Sequence, residues 1–276
     1  MIAYCAYMCE GSQLVRELYH PGYSVAHAEL CPDRGRSMRL MMLICSAPSH
    51  FHRRLAIRLT WGYKANRRDI AVAFLLGQTE SYRINQLIDQ EDKLWGDVIR
   101  GQFIDTYSNM TLKTLSLLDW VSAYCQLVPR ILKVDDDVFI NVPKLLDFIT
   151  AQADSVWTIW GNVRSTYSPN RERGSKYYVS KVIYPSNEYP PFASGPAYLM
   201  TSDVAQALRT AAYFERYFPL EDVFFTGLLA QKLLIRRQHA PEFAYSRLQE
   251  PDVFRHISIH GVSYLKQFYW WNKLFT

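Results

Sequence analysis

Three adjacent carboxylates, Asp135, Asp136 and Asp137, stand between the apolar runs ILKV and VFI. Like charges about 4 Å apart repel by roughly 1 kcal/mol in water, and by several times more near a low-dielectric surface. Such a cluster therefore requires a protonated member, a basic neighbour or a bound cation. Oxygen ligands suit Mg²⁺ or Mn²⁺, and open α/β sheets bind ligands beyond the carboxyl ends of their strands. The triplet predicts a cation-dependent ligand site at a strand end.

Three other interpretations of the triplet are weaker. Aspartate is common in solvated turns, but a solvated turn seldom lies between two apolar runs. An EF-hand would place its third ligand and its glycine on Phe139 and Ile140, which excludes that motif. A phosphoryl-transfer enzyme is disfavoured because the sequence contains no GxxxxGK[ST] loop.

Five further residues have types and positions that suit chemistry. Glu221 and Asp222 precede an apolar segment, where acids either cap the first turn of a helix or act as functional carboxylates. His260 ends an alternating strand and is either a structural residue or a ligand. Arg54 and Arg58 are four residues apart and therefore share a helix face, which is either solvated or functional.

The elements that must position these residues alternate between apolar strands and helices. In order, the sequence predicts strand 40–45, helix 52–62, strand 70–77, helix 80–92, strand 96–99, a helix from 109 with leucine or valine every third residue, and strand 131–140. Continuous apolar strands are typical of parallel sheets that are covered on both faces. The pattern therefore predicts a doubly wound α/β sheet, with the aspartate triplet at the end of one strand.

The second half of the chain has a different character. Predicted elements there are helix 144–151, aromatic strand 156–161, helix 202–209 and strand 257–260. Between them, the segment 188–200 reads EYPPFASGPAYLM and mixes aromatic, proline and small residues. Aromatic faces beside polar groups suit stacking on sugar rings, although the same residues also fill cores.

The composition limits the classes of partner. The 276 residues are 49% hydrophobic and 21% charged, which suits either one large α/β domain or two packed halves. The net charge is only +5 and the basic residues are scattered, so no nucleic-acid partner is expected. The positive surplus fits a diphosphate ligand or a membrane surface equally well.

Residues 1–37 show no clear period and are interpreted as a leader or stem that packs irregularly. No run reaches the roughly 18 apolar residues of a membrane span, and the N-terminus makes a poor signal peptide. The protein is therefore expected either to be soluble or to have its membrane anchor outside this sequence. Asn109 begins an N-glycosylation sequon and is alternatively a helix cap.

The five cysteines show no zinc-like spacing, and their odd number leaves at least one free thiol in a secretory protein. Cys45 and Cys125 are interpreted as small buried hydrophobic residues. The sequence leaves open whether Cys5, Cys9 and Cys31 pair.

Several motifs occur in an order that resembles a known family. In sequence order they are RRLAIRLTWG, FLLG, GDVI, YSNMTLKT, ILKVDDDVFIN, KYYVS, EYPPFASGPAY, LEDVFFTG and a late histidine. From about Arg39 to its end, the chain resembles the β1,3-glycosyltransferases of family 31, and most of all their β1,3-galactosyltransferase branch. The resemblance implies an α/β GT-A fold in which a Rossmann-like nucleotide-sugar half, 38–142, joins an acceptor half, 143–276.

The same resemblance implies an inverting, Mn²⁺-dependent hexosyltransferase. Such an enzyme would move galactose from UDP-galactose to a sugar hydroxyl of a glycoprotein or glycolipid, forming a β1,3 linkage. It would lie in the Golgi lumen as a single-pass type II membrane protein, although no anchor is evident in this sequence. The alternatives are a β1,3-N-acetylglucosaminyltransferase that uses UDP-GlcNAc and a non-catalytic carbohydrate-binding relative.

Family likeness also assigns the donor and metal residues. Asp137 and His260 would hold the metal ion. Asp135 would lie toward the nucleoside, and Asp136 belongs with it to the donor site.

The remaining assignments concern catalysis and the nucleotide. Asp222 corresponds to the catalytic base of the family, with Glu221 beside it. Arg54 and Arg58 fall on arginines near the nucleotide.

Three positions depart from the family pattern. Ala193 stands where many relatives have cysteine, and no late cysteine occurs near Phe254, so both members of a possible bridge are absent. Ala197 replaces a usual glycine, which predicts an acceptor loop of different shape.

Overall fold

An eight-stranded sheet forms the centre of the computed structural model, which describes residues 13–63, 68–244 and 252–275. Its strand order is β1-β4-β3-β2-β5-β8-β7-β9, and a smaller sheet has the order β10-β11-β6. The strands are β1 (Tyr23–Val25), β2 (Leu40–Cys45), β3 (Ile70–Gln78), β4 (Val98–Ile104), β5 (Arg130–Asp135), β6 (Val138–Ile140), β7 (Thr158–Arg164), β8 (Phe192–Thr201), β9 (Arg236–His239), β10 (Phe243–Ala244) and β11 (Ser258–His260).

Helices cover both faces of the large sheet. They are α1 (Val15–Leu18), α2 (Phe51–Arg58), α3 (Tyr82–Trp95), α4 (Met110–Tyr124), α5 (Val142–Ala151), α6 (Ser202–Ala212), α7 (Ala230–Lys232) and α8 (Tyr264–Phe275). A π-helix, Val223–Leu229, precedes α7, and short 3₁₀ turns lie at Ala28–Leu30, Pro32–Gly35 and Tyr107–Asn109. Within the described ranges, no helix is both long and apolar enough to cross a membrane.

The predicted alternation of strands and helices is confirmed in the first half of the chain. Strand β2 is buried along its whole length and pairs in parallel with β3 and β5. Its side chains alternate between two cores, with Met41 and Leu43 on one face of the sheet and Met42 and Ile44 on the other. Burial on both faces explains why the strand reads as a continuous apolar run.

The large sheet changes direction at β5. Strands β2 and β5 run parallel, whereas β8 pairs with β5 antiparallel and places Ala197 opposite Val134. Strands β7 and β9 then continue the sheet beyond β8. The division expected at 142 and 143 therefore does not interrupt the sheet, and the two halves of the chain share it.

Several boundaries differ from the sequence prediction. The strand expected to start at Gly96 begins at Val98, because Gly96 ends α3 in a left-handed conformation with φ 59°. The apolar helix expected after Glu221 is π-helical rather than α-helical. Helix α8 and strands β9 and β10 were not predicted, and α8 packs against α2.

The described part of the N-terminal segment, from residue 13, is integrated into the domain. Its strand β1 pairs antiparallel with β4 at the edge of the large sheet, and Val15 and Tyr19 are buried in a core. The interpretation of 1–37 as an irregular leader or stem is therefore corrected for 13–37. Its apolar residues are too widely spaced to show a periodic pattern in the sequence, yet their side chains pack against the sheet.

A disulfide joins Cys31 of this segment to Cys125 at the end of α4. The interpretation of Cys125 as a simple buried hydrophobic residue is thus wrong, because tertiary packing brings it to Cys31. Cys45 is buried and free, as predicted. Cys5 and Cys9 lie outside the described residues.

Replacing both Cys31 and Cys125 by serine is expected to lower the free energy of unfolding by about 2–4 kcal/mol, because the bridge closes a long loop. The sequence separation of the two residues is 94. Urea unfolding measures the loss, and Cys45→Ala provides a control that leaves the bridge intact. A reducing agent should lower the urea midpoint of the native protein and leave that of the double variant unchanged. Equal sensitivity of both proteins to the reducing agent would contradict the assignment.

Candidate active site

A cleft of about 630 Å³ opens at the carboxyl end of β5, where the large sheet changes direction. Distant parts of the sequence meet on its walls. Its acidic and imidazole residues are Asp135, Asp137, Glu221, Asp222 and His260. The structure thus brings together five of the eight site residues predicted from the sequence.

The pairing of two short strands brings His260 to Asp137. Strand β11 pairs antiparallel with β6 and places His260 opposite Val138, the residue after Asp137. The N–H of Val262 also donates a 2.8 Å hydrogen bond to the carbonyl of Asp137. As a result, His260 Nε2 lies 3.7 Å from Asp137 Oδ1.

This separation fits two ligands of one hard cation. Ligand atoms about 2.1 Å from a shared Mg²⁺ or Mn²⁺ ion lie at most about 4.2 Å apart. Among residues 13–63, 68–244 and 252–275, no group of three His, Cys, Asp or Glu side chains is arranged to hold a metal. Asp137 and His260 would therefore supply two ligands, leaving the other positions to water and substrate phosphates, as is usual for such ions.

Asp136 turns away from the cleft. Its carboxylate accepts a 2.8 Å hydrogen bond from Ser46 Oγ, lies 2.7 Å from His50 Nδ1 and forms a 2.8 Å ion pair with Arg53. Burial alone would raise the pKa of Asp136, but these partners lower it below its usual value. The predicted direct donor contact of Asp136 is therefore corrected, because the carboxylate ties the strand end to the start of α2.

Arg54 and Arg58 do not face the cleft either. Only 0% and 7% of these residues are exposed, and both form ion pairs with Glu91. Arg54 also donates to the carbonyl of Ala47, and Arg58 forms a second ion pair with Asp97. We therefore correct the predicted contact with the nucleotide to a structural role. The helix face that the two arginines share packs against acidic residues of α3 and of the segment after it.

Asp222 is held by backbone groups. Its Oδ2 accepts a 3.0 Å hydrogen bond from the N–H of Gly195, and its Oδ1 accepts a 2.9 Å hydrogen bond from Val223. Burial raises the pKa of Asp222, and these N–H groups oppose the shift only in part. A half-buried carboxylate that lines the cleft and keeps lone pairs free suits a proton acceptor.

The carboxylate of Glu221 points into the protein interior. Its Oε2 accepts hydrogen bonds from Thr114 and Tyr198, at 3.1 and 3.2 Å. Burial raises the pKa of Glu221 to about 7, although the nearby Lys133 ammonium opposes the shift. Glu221 therefore lines the cleft with its carboxylate turned toward Thr114, Tyr198 and Lys133, whereas Asp222 is the more exposed of the two acids.

Lys133 is the functional residue that the sequence interpretation missed. The residue is 0% exposed, and its Nζ lies 2.7 Å from Asp135 Oδ1 and 3.0 Å from Glu221 Oε1. The contact with Glu221 is an ion pair whose angle does not suit a hydrogen bond. Burial would lower the pKa of Lys133, yet the two carboxylates raise it well above its usual value. The available signal was a single lysine in an apolar strand, two residues before Asp135 and so on the same face.

Aromatic and basic side chains form the far wall of the cleft. Tyr107 and Tyr177 line it, and the ammonium of Lys176 lies 5.2 and 4.8 Å from their ring centroids. Tyr189 and Phe192, from the aromatic segment noted in the sequence, also line the cleft but are largely buried. The rings of that segment thus fill the core and also line the cleft, and their stacking on a sugar stays a prediction.

The fold and the cleft together have the features of a GT-A fold. An α/β sheet changes direction at its acidic strand end, a His–Asp pair suits a metal and a separate carboxylate faces the same cleft. A family model described as Galactosyltransferase matches residues 52–241, and the chain belongs to this family.

Similar proteins are named as glycosyltransferases. Beta-1,3-galactosyltransferase 5 of Homo sapiens is 36% identical over 199 residues, covering 71% of this chain and 64% of that protein. Beta-1,3-galactosyltransferase 1 of Mus musculus is 35% identical over 246 residues, covering 85% and 73%. UDP-GlcNAc:betaGal beta-1,3-N-acetylglucosaminyltransferase 7 of Rattus norvegicus is 35% identical over 207 residues, covering 72% of this chain and 51% of the rat protein. The chain thus spans about half the length of the rat relative.

Protonation of Glu221 is expected to make stability depend on pH. Because its pKa rises from 4.5 to about 7 on folding, the folded state binds more protons between these values. The resulting stabilisation is present below pH 4.5 and is lost as the pH rises to about 7. Relative to Glu221→Gln, the native protein should lose up to about 3 kcal/mol over this interval, at 1.36 kcal/mol per pKa unit. Urea unfolding at several pH values measures the difference, and a difference that is flat or grows with pH would contradict the burial of an ionisable Glu221.

Proposed function

We propose that the protein is an inverting, Mn²⁺-dependent transferase that moves galactose from UDP-galactose to a sugar hydroxyl of a glycan acceptor, forming a β1,3 linkage. The observation that carries the proposal is the shared cleft, in which Asp222 and the pair Asp137–His260 lie on the same surface. Family membership and the β1,3-galactosyltransferase relatives support it.

The roles of the protein groups follow from their positions. Asp137 and His260 would hold Mn²⁺, which when bound neutralises negative charge on the UDP leaving group. Asp222 accepts the proton of the acceptor hydroxyl at a carboxylate oxygen, and its two backbone hydrogen bonds, one to each oxygen, fix the carboxylate at the cleft. Inversion needs a single in-line attack, so one base suffices and no carboxylate nucleophile is required. The aromatic wall of Tyr107 and Tyr177 offers ring faces for the acceptor sugar.

A β1,3-N-acetylglucosaminyltransferase is the second candidate. The rat relative, which is 35% identical, is named as a UDP-GlcNAc enzyme. The same base and metal ligands would serve either donor, so the donor sugar decides between the two.

We further propose that the protein works in the Golgi lumen on glycoprotein or glycolipid acceptors. The disulfide between Cys31 and Cys125 supports a secretory location, because such bonds persist in oxidising compartments.

Transfer from UDP-galactose to a panel of simple glycosides, in the presence of Mn²⁺, is the direct test of this proposal. Product and released UDP are expected with Mn²⁺ and not after chelation with EDTA, because Asp137 and His260 alone cannot neutralise the leaving diphosphate. A parallel reaction with UDP-GlcNAc decides between the two donors. Absence of transfer from every UDP-sugar would favour a non-catalytic carbohydrate-binding relative.

Two variants should lose activity for different reasons. Asp222→Asn removes the base and should lower kcat by about 10²–10⁴ while UDP binding with Mn²⁺ stays within about threefold. Asp137→Ala should weaken that binding by about tenfold or more, since a metal ligand is lost. Calorimetry with UDP and Mn²⁺ separates the two effects. Asp147→Asn, on the exposed face of α5, is the control for loss of a carboxylate. Full transfer activity in either site variant would remove that residue from its proposed role.

A further inference from the structure

Lys133 connects three separate elements below the cleft. Besides its ion pairs with Asp135 and Glu221, its Nζ donates a 2.7 Å hydrogen bond to the carbonyl of Gly195. Asp135 ends β5, Gly195 lies within β8, and Glu221 precedes the π-helix. Two of these contacts are hydrogen bonds, to Asp135 and Gly195, and the third, to Glu221, is an ion pair, so two carboxylates and one carbonyl surround the buried ammonium.

The position of Lys133 excludes direct contact with a substrate. Lys133 is fully buried and does not line the cleft. The residue therefore acts through its neighbours rather than on reacting atoms.

The backbone of Gly195 links Lys133 to Asp222. The carbonyl of Gly195 accepts from Lys133, and the N–H of the same residue donates to Asp222 Oδ2 at 3.0 Å. The approach is close, since a Cβ on Gly195 would lie 3.2 Å from Glu221 Oε1 and 3.3 Å from Asp222 Oδ2. A second route runs through Glu221, which precedes Asp222 in the chain and pairs with the same ammonium.

We propose that Lys133 is a positioning residue that holds the Gly195 backbone, and through it the Asp222 carboxylate, in the orientation needed for proton acceptance. The role of Asp222 as the base rests on the proposed function. The placement of Gly195 by Lys133 does not depend on it.

Two variants of Lys133 distinguish a positioning role from simple charge balance. Lys133→Met alone leaves Asp135 and Glu221 buried without their cation and is expected to be unstable. The double variant Lys133→Met/Glu221→Gln removes one carboxylate charge together with the ammonium and should recover much of the lost thermal stability. If Lys133 only balanced charge, this recovery would restore the site as well.

Amide hydrogen exchange at Gly195 and steady-state kinetics with UDP-galactose report on the site in the double variant. Positioning by Lys133 predicts exchange at Gly195 at least about tenfold faster than in the native protein. It also predicts a kcat at least about tenfold lower, with the KM for the donor within about threefold. Single Glu221→Gln keeps the ammonium and should retain slow exchange at Gly195.

A second buried lysine offers a matched control. Lys113 forms a 2.8 Å ion pair with Asp105, and both side chains are nearly inaccessible. The variant Lys113→Met/Asp105→Asn should lose stability yet leave exchange at Gly195 unchanged. Native exchange at Gly195 in the Lys133 double variant would overturn the proposal, and so would faster exchange with native kcat. If the native protein transfers no sugar at all, the proposed function fails, and exchange at Gly195 alone still decides the role of Lys133.

Discussion

The cleft depends on compensating the negative charge of three adjacent carboxylates. At the end of β5, Asp135 pairs with the buried Lys133, Asp136 with groups at the start of α2, and Asp137 lies beside His260. Three like charges at a buried strand end would otherwise repel one another. Asp137 and His260 both line the open cleft, so part of the charge of the triplet is directed to that point. The strand that carries the acids also carries the lysine that compensates one of them.

The change in direction of the sheet determines what meets that strand end. Strand β5, which is parallel to β2, ends at the acids, and the antiparallel strand β8 passes the same edge of the sheet with Gly195. Asp222 lies at the start of the π-helix and caps its first residue, Val223. Wider helical turns of this kind often occur at functional sites. The two halves of the chain are thus joined within one sheet, and no interface between independent domains is needed to form the cleft.

Several residues that suggest binding in the sequence prove to be supports. Arg54 and Arg58 neutralise Glu91, and Asp136 anchors the strand end to α2. A buried pair of this kind is strongly destabilising to break, because the remaining charge stays in a low-dielectric environment. A family motif therefore mixes residues that line the cleft with residues that are buried behind it, and spacing alone does not separate them.

The sequence by itself determined the α/β class, the strand that bears the acids and the short list of candidate site residues, since burial on both faces and helical periodicity leave direct traces in residue order. Tertiary structure alone decided that Cys31 reaches Cys125 and that Lys133 lies behind the cleft. The meeting of His260 and Asp137 was expected from the family resemblance, and the tertiary structure brings the two side chains to 3.7 Å. These contacts join residues far apart in the chain, and no local pattern encodes which of many possible partners a side chain meets. The N-terminal segment shows the same limit, because its few apolar residues can be recognised as core residues only when the sheet that covers them is known.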